Sequence, residues 1–252
     1  MAYYYMHPDL SLPEDASVVW RYMELWKFQL MIQENSIFFS RADKQTDKLE
    51  GEYPEGMLAE LERRFRGGIP SDDGISYTFH EWHTQKEIRS RLVSCWSLGP
   101  CESRKMWTAY TQSRDSIAVR STIERLKNCF HDRVEPVVWI GKVRYGEEEN
   151  TLPSSISKWN VNFWLYPFFA KKDTYRWENE VRAIVNIALA KQAQFGHRLN
   201  GCYIKADLQI LVDSVWVNPQ SPAELRGQVG ACLDNCGLGN VEIYQSPWDC
   251  LP

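Results

Sequence analysis

The sequence predicts an α+β fold. Short runs of β-branched and aromatic residues recur along the chain, helical patterns are dispersed among them, and no regular strand–helix–strand alternation builds a parallel sheet. No Pro/Gly/Ser-rich linker, internal repeat or low-complexity segment divides the 252 residues, so residues 1–252 are read as one domain. A chain of this length buries roughly three-quarters of the surface its unfolded form exposes. Its 44% hydrophobic residues, with 11 Trp, 12 Tyr and 10 Phe, can supply such a core.

In chain order, residues 18–23 (VVWRYM) form a short strand, 24–34 carry mixed helical apolar spacing, and 36–40 (SIFFS) form a second strand leading into a polar loop, RADKQTDKLEG. Pro54 opens a helix with Met57, Leu58, Leu61 and Phe65 on one face, and Gly67-Gly68 stops it. Residues 80–91 read as a largely solvated helix, and 92–97 (LVSCWS) as a strand before a Gly99-Pro100 turn. A helix follows over ESRKMWTAYTQ, then a strand at 116–121. Ser121 with Glu124 has the spacing of a capping box, in which two side chains satisfy each other's orphan amides. Residues 137–145 form a strand, and 177–187 form another with Val181, Ala183, Val185 and Ile187 on one face. The last third supplies GCYIKAD and SVWVNP as strands, a helix from Ser221 with Glu224 as its capping partner, and NVEIYQS as a final strand.

Charge and cysteine usage narrow the class. A net charge of −4 argues against a protein that coats nucleic acid through phosphate contacts, and Arg63, Arg64 and Arg66 read as a solvated helix face. Seven cysteines, an odd number, and a start without a basic and then apolar leader point to free thiols in a reducing cytoplasm. No apolar run is long enough to span a bilayer, so no membrane partner is expected.

Familiar signatures are few. There is no Walker-type phosphate loop, GxGxxG or GxSxG. His80, Glu81 and His83 form HEWH, one residue short of the HExxH zinc pattern and without an evident third ligand, so no metal is expected. Cys232 and Cys236, one helical turn apart, read as buried thiols. Separately, an Arg near a strand start, the Trp107/Tyr110 pair and the Glu178/Glu180 pair each have ordinary structural readings: surface pairing, core packing and exposed carboxylates.

Taken in order, the fragments Arg21-Tyr22, Ser40, Asp47 with Glu50, Ser94-Cys95-Trp96-Ser97, Met106-Trp107 with Tyr110, and Trp177-Glu178-Asn179-Glu180 with Arg182 resemble the bacterial domain of unknown function 2971 family. The resemblance runs from about residue 18 to the final strand. It departs in the loop, where Thr46-Asp47-Lys48 stands for the family's Asn-Asp-Pro. It implies membership of the ADP-ribosyltransferase-fold superfamily of toxins and phage-defence effectors, with a split β-sheet core and surrounding helices. It also implies NAD as co-substrate and a macromolecular acceptor (RNA, DNA or protein), with an antitoxin as a further partner and a role in antiviral defence.

The same resemblance assigns the site. Glu180 is the catalytic carboxylate, fixed beside the ribose to stabilise oxocarbenium-like charge, and Glu178, two residues earlier on the same strand face, orients or deprotonates the acceptor. Arg21 binds the NAD phosphates through its planar fork of donors. Tyr22, Ser40, Asp47, Ser94, Ser97, Trp107 and Tyr110 complete the NAD-binding set, and Arg182 is read as an ion-pair partner. Three other readings compete: an NAD glycohydrolase of the same fold, a non-catalytic module binding nucleic acid or protein, and an immunity partner on a degenerate fold.

Overall fold

A computed structural model describes residues 3–6, 10–45, 47, 50–53, 55–70, 74–130, 136–146, 162–188, 191 and 200–247. Among these residues the α+β expectation holds, and the main sheet has ten strands of mixed direction. Pro54, Thr46 and Lys48, named above, lie outside the described residues.

The first half supplies β1 (Tyr3–Tyr4), β2 (Val18–Glu24), α1 (Leu25–Gln33), β3 (Ser36–Arg41) and α2 (Glu55–Arg64). A small ribbon of β4 (Ile69–Pro70) and β5 (Ser76–Tyr77) follows. Then come α3 (Phe79–Trp82), a π-helical stretch (His83–Glu87), α4 (Ile88–Ser90), β6 (Arg91–Leu98), α5 (Arg104–Tyr110), β7 (Ser116–Thr122) and α6 (Ile123–Asn128). The second half supplies β8 (Val137–Lys142), β9 (Arg144–Tyr145), α7 (Asn162–Leu165), β10 (Ala170–Lys171), a 3-10 turn (Asp173–Glu178) and β11 (Glu180–Asn186). It closes with β12 (Gly201–Lys205), α8 (Leu208–Leu211), β13 (Ser214–Val217), α9 (Glu224–Asn235) and β14 (Glu242–Gln245).

The sheet forks at β6. One edge of β6 pairs antiparallel with β11 along its length, from Glu180↔Ser97 to Asn186↔Arg91. Its other edge is shared between two strands. β2 takes the C-terminal end through Val19↔Leu98 and Trp20↔Ser97, and β3 takes the N-terminal end through Ser40↔Val93 and Arg41↔Leu92. β2 then runs on with β7, and β3 with β12. Between the branches, Ser94, Cys95 and Trp96 have no ladder partner on that edge among the described residues. Gly201 permits the β3–β12 branch, because a Cβ there would lie 2.1 Å from the Phe39 carbonyl oxygen.

Alternation along β11 sorts its side chains by face. Val181, Ala183 and Val185 enter the main core with Leu92, Trp96, Val138 and Phe28. Ile184 packs on the opposite face with Val93, Phe168 and Phe169, and Glu180 and Arg182 share that face by their spacing.

Four local expectations are corrected. Residues 177–187 are not one strand, since Trp177 and Glu178 end a 3-10 turn and Asn179 is left-handed (φ 42, ψ 60) before β11 begins. Residues 80–91 are not largely solvated, since His83, Ile88 and Ser90 are buried and Arg91 already belongs to β6. Thr122, not Ser121, caps α6 by accepting from the Arg125 amide, while Ser121 is buried and donates to the Leu211 carbonyl at 2.6 Å. Ser221 does not cap α9, whose N-cap is Ala223.

Candidate active site

The fork opens into a cavity of ≈ 760 Å³, within the size range of small-molecule sites. Arg21 and Tyr22 of β2, Phe38 and Ser40 of β3, Cys95 and Ser97 of β6, Trp26 of α1, Tyr110 of α5, Tyr203 of β12 and the two carboxylates Glu178 and Glu180 line it.

Arg21 spans the gap between the two branches. Its guanidinium donates to Ser94 Oγ on β6 at 2.8 Å and to the Phe38 carbonyl on β3 at 2.7 Å. Five N–H donors less these two leaves three for a ligand. Burial lowers its pKa to about 10, so it stays cationic at neutral pH.

Opposite stand the carboxylates. The left-handed turn at Asn179, pinned by its side-chain amide donating to the Leu98 carbonyl at 2.8 Å, sets Glu178 and Glu180 around one ammonium group. That ammonium is Lys171, whose Nζ lies 2.6 Å from Glu178 and 3.5 Å from Glu180. The other Glu178 oxygen accepts from the Tyr110 hydroxyl at 2.7 Å. Arg182, fully buried, forms a two-pronged pair with Glu50, donates to the Phe168 carbonyl at 2.6 Å, and reaches Glu180 at 3.0 Å. The Cys95 thiol hydrogen-bonds Glu180, and the Tyr145 hydroxyl accepts from the Glu180 amide at 2.9 Å.

Among the described residues three carboxylates thus meet two cations, a net charge of −1 for this cluster when all are ionised. Burial pushes Glu180 up, but Arg182, then Lys171, and hydrogen bonds from Arg182 and Cys95 outweigh it and hold its carboxyl below the usual range. Burial disfavours the Lys171 ammonium, yet the carboxylates hold it above the ordinary lysine value. Burial raises Glu50, with Arg182 opposing. Burial and both carboxylates raise Tyr110, so its phenol remains a donor.

The other sequence-predicted residues fall in three groups. Ser40, Ser97 and Tyr22 line the cavity. The Ser97 hydroxyl donates to the Glu178 carbonyl at 2.9 Å, and the Tyr22 hydroxyl accepts from the Ser103 amide at 2.7 Å. Ser94 and Trp107 stand behind the wall. Ser94 is buried and holds Arg21, whereas Trp107 donates to Glu102 at 2.9 Å and meets Tyr22 edge-on. Asp47 is half-buried in the loop and is not among the lining residues.

Sequence reasoning missed Lys171, Tyr145 and Trp26. Lys171 and Tyr145 are brought together by the β9–β10 ribbon, in which they are register partners, and no spacing rule links residues so far apart. A lone Trp on α1 carries no signal until the cleft places it at the rim. The HEWH motif is absorbed structurally. His83 is buried, its Nε2 donates to the Gly51 carbonyl at 2.7 Å, and its ring stacks on Phe79.

No family model and no curated protein matches the chain. Among solved structures it is similar to Thermus sp. 2.9 DarT in complex with ADP-ribosylated ssDNA, at 10% identity and TM-score 0.40, covering 96% of this chain and 99% of that one. The same protein in complex with NAD+ aligns at 9% identity and TM-score 0.41, covering 94% and 99%. In complex with carba-NAD+ it aligns at 10% identity and TM-score 0.36, covering 96% and 100%.

Proposed function

We propose that the chain is an NAD-dependent ADP-ribosyltransferase acting on a macromolecule, nucleic acid or protein, as a toxin or phage-defence effector. The observation that carries this reading is Glu180: a buried carboxylate, kept ionised by its neighbours, facing a cavity whose opposite wall holds the Arg21 guanidinium. The residues fit the co-substrate in kind. The excess negative charge of the carboxylate cluster suits a cationic nicotinamide and the positive charge that develops on its ribose, and the free donors of Arg21 suit phosphate oxygens.

NAD supplies the activated ribosyl–nicotinamide bond. Glu180 stabilises positive charge at the ribose, and its fixed position, set by Arg182, Lys171 and the Tyr145 hydroxyl, means little reorganisation is needed as that charge develops. Glu178, held by Tyr110 and Lys171, orients the acceptor. Ser94 and the Phe38 carbonyl hold Arg21 across the fork.

The test is incubation with labelled NAD and a lysate separated into protein, RNA and DNA fractions, alongside Glu180→Gln. Label in one fraction, falling about 10²–10³-fold in the variant, is the expected result. Nicotinamide release with no labelled acceptor would replace the transferase with a glycohydrolase using the same carboxylate. Unconsumed NAD would overturn the reading and favour a binding module.

A further inference from the structure

We propose that Lys171 is a positioning residue that bridges Glu178 and Glu180 and sets the charge of Glu180, and that the β9–β10 ribbon delivers it. The inference rests on the proposed use of Glu180 as the charge-stabilising carboxylate.

The geometry separates Lys171 from an ordinary core ion pair. Within the cluster Arg182 is committed to Glu50 through two prongs and offers Glu180 one contact. Lys171 is the second cation and bridges Glu178 and Glu180 with one nitrogen. A neighbouring carboxylate disfavours the ionised form of Glu180, and a cation placed between the two opposes that repulsion. The groups facing the pair from the packed elements are Tyr110 on α5, Cys95 on β6, Tyr145 on β9, Arg182 on β11 and Glu50. Neither the phenols nor the thiol carries positive charge, so among the described residues Lys171 and Arg182 are the cations that contact the three carboxylates.

The anchoring is deliberate in form. Lys171 is nearly buried, its ammonium lies over the Tyr175 ring at 4.5 Å, and its register partner Tyr145 accepts the Glu180 amide through its hydroxyl. One short ribbon therefore fixes both the backbone and the charge state of Glu180.

The test uses the full chain with ¹³C-labelled glutamate, titrated by NMR from pH 8 down to acid unfolding, with Glu180 identified by its loss in Glu180→Gln. Lys171→Gln keeps a hydrogen-bond donor but removes the charge, and Lys171→Arg keeps the charge. The expected result is a Glu180 midpoint roughly 1–3 pH units higher in Lys171→Gln, the range an opposite charge at this distance exerts. Lys171→Arg should titrate near wild type. The acid limb of the pH profile of NAD consumption should move with the Gln variant by the same amount. A Lys171→Gln midpoint equal to wild type overturns the proposal. Should that variant not fold, a wild-type Glu180 midpoint above the ordinary glutamate value overturns it. Wild-type protein that leaves NAD unconsumed defeats the functional reading instead, and the titration still decides the role of Lys171.

Discussion

Arg182 shows how much of the site is decided one side chain at a time. It is fully buried, its guanidinium is shared by Glu50, Glu180 and the Phe168 carbonyl, and the cluster is solvated by little else. Removing one member of a buried ion network leaves its partners charged and unpaired, which typically costs about 3–5 kcal/mol. Arg182→Met is therefore expected to lower the chemical-denaturation midpoint by that equivalent. Glu180→Gln, which keeps a hydrogen-bonding amide of the same shape, should unfold much closer to wild type. Cys95 makes a contrasting case. It lines the cavity, but burial and then Glu180 push its thiol well above the usual range, and the thiolate is the reactive form. Cys236 is exposed and Cys232 half-buried, against the expectation of two buried thiols, so alkylation with iodoacetamide near pH 7.5, read by peptide mass spectrometry, should modify Cys101 and Cys236 well before Cys95. Rapid labelling of Cys95 would mean the thiol is not buried against the carboxylate.

Elements were legible in the sequence where pattern and propensity agree, and obscure where one residue breaks a pattern from within. The strands around Arg21, Ser94 and Val181 and the helix after β2 lie close to their expected places, because alternating or helically spaced apolar residues leave few other ways to bury them. Asn179 is polar at a position in phase with Trp177, Val181, Ala183 and Val185, but one interrupted position does not by itself end a strand pattern. The signal of the break is the residue type, since Asn visits the left-handed region more readily than other non-glycine residues. The break matters chemically, because it turns Glu178 off the ladder and toward Lys171 and Tyr110. Asn179→Gly should keep the turn and most of the activity. Asn179→Val, which combines a β-branched side chain with φ 42 and loses the amide bond to Leu98, should cost about 1–3 kcal/mol and depress turnover. Equal stability of the two variants would show that the left-handed turn is not required. The capping of α6 slipped by one residue for a related reason: adjacent Ser121 and Thr122 both offer a hydroxyl and both pair with β2, but Ser121 turns inward to the Leu211 carbonyl and only Thr122 meets the Arg125 amide.

At the scale of the whole molecule, the fork was the feature least available to sequence reading. Individual strands announce themselves locally, whereas the sharing of β6 between β2 and β3, and the return of β12 to pair with β3, depend on contacts across most of the chain. The same long-range packing hid His83, whose polar neighbours in HEWHTQKE suggest a solvated helix. Burial lowers its pKa to about 4 from an ordinary 6.5, with the Gly51 hydrogen bond opposing and Arg91 and His80 assisting. The Gly51 carbonyl can only accept, so Nε2 carries a proton, and the lowered pKa leaves the ring neutral in the fold at neutral pH. The unfolded chain therefore binds a proton between pH 6.5 and 4 that the folded chain does not. Stability from this group is complete above pH 6.5 and declines as pH falls through that window. At 1.36 kcal/mol per unit, the loss reaches about 2 kcal/mol by pH 5. Several buried carboxyls titrate nearby, so the useful quantity is the difference from His83→Gln, which can still donate to Gly51 but cannot charge. Measured by denaturant unfolding at pH 7 and pH 5, the advantage of wild type over this variant should shrink by about 2 kcal/mol. A difference that stays constant across the two pH values would mean that His83 protonates in the folded state at its ordinary pH, and that the core around Phe79 admits water to its ring.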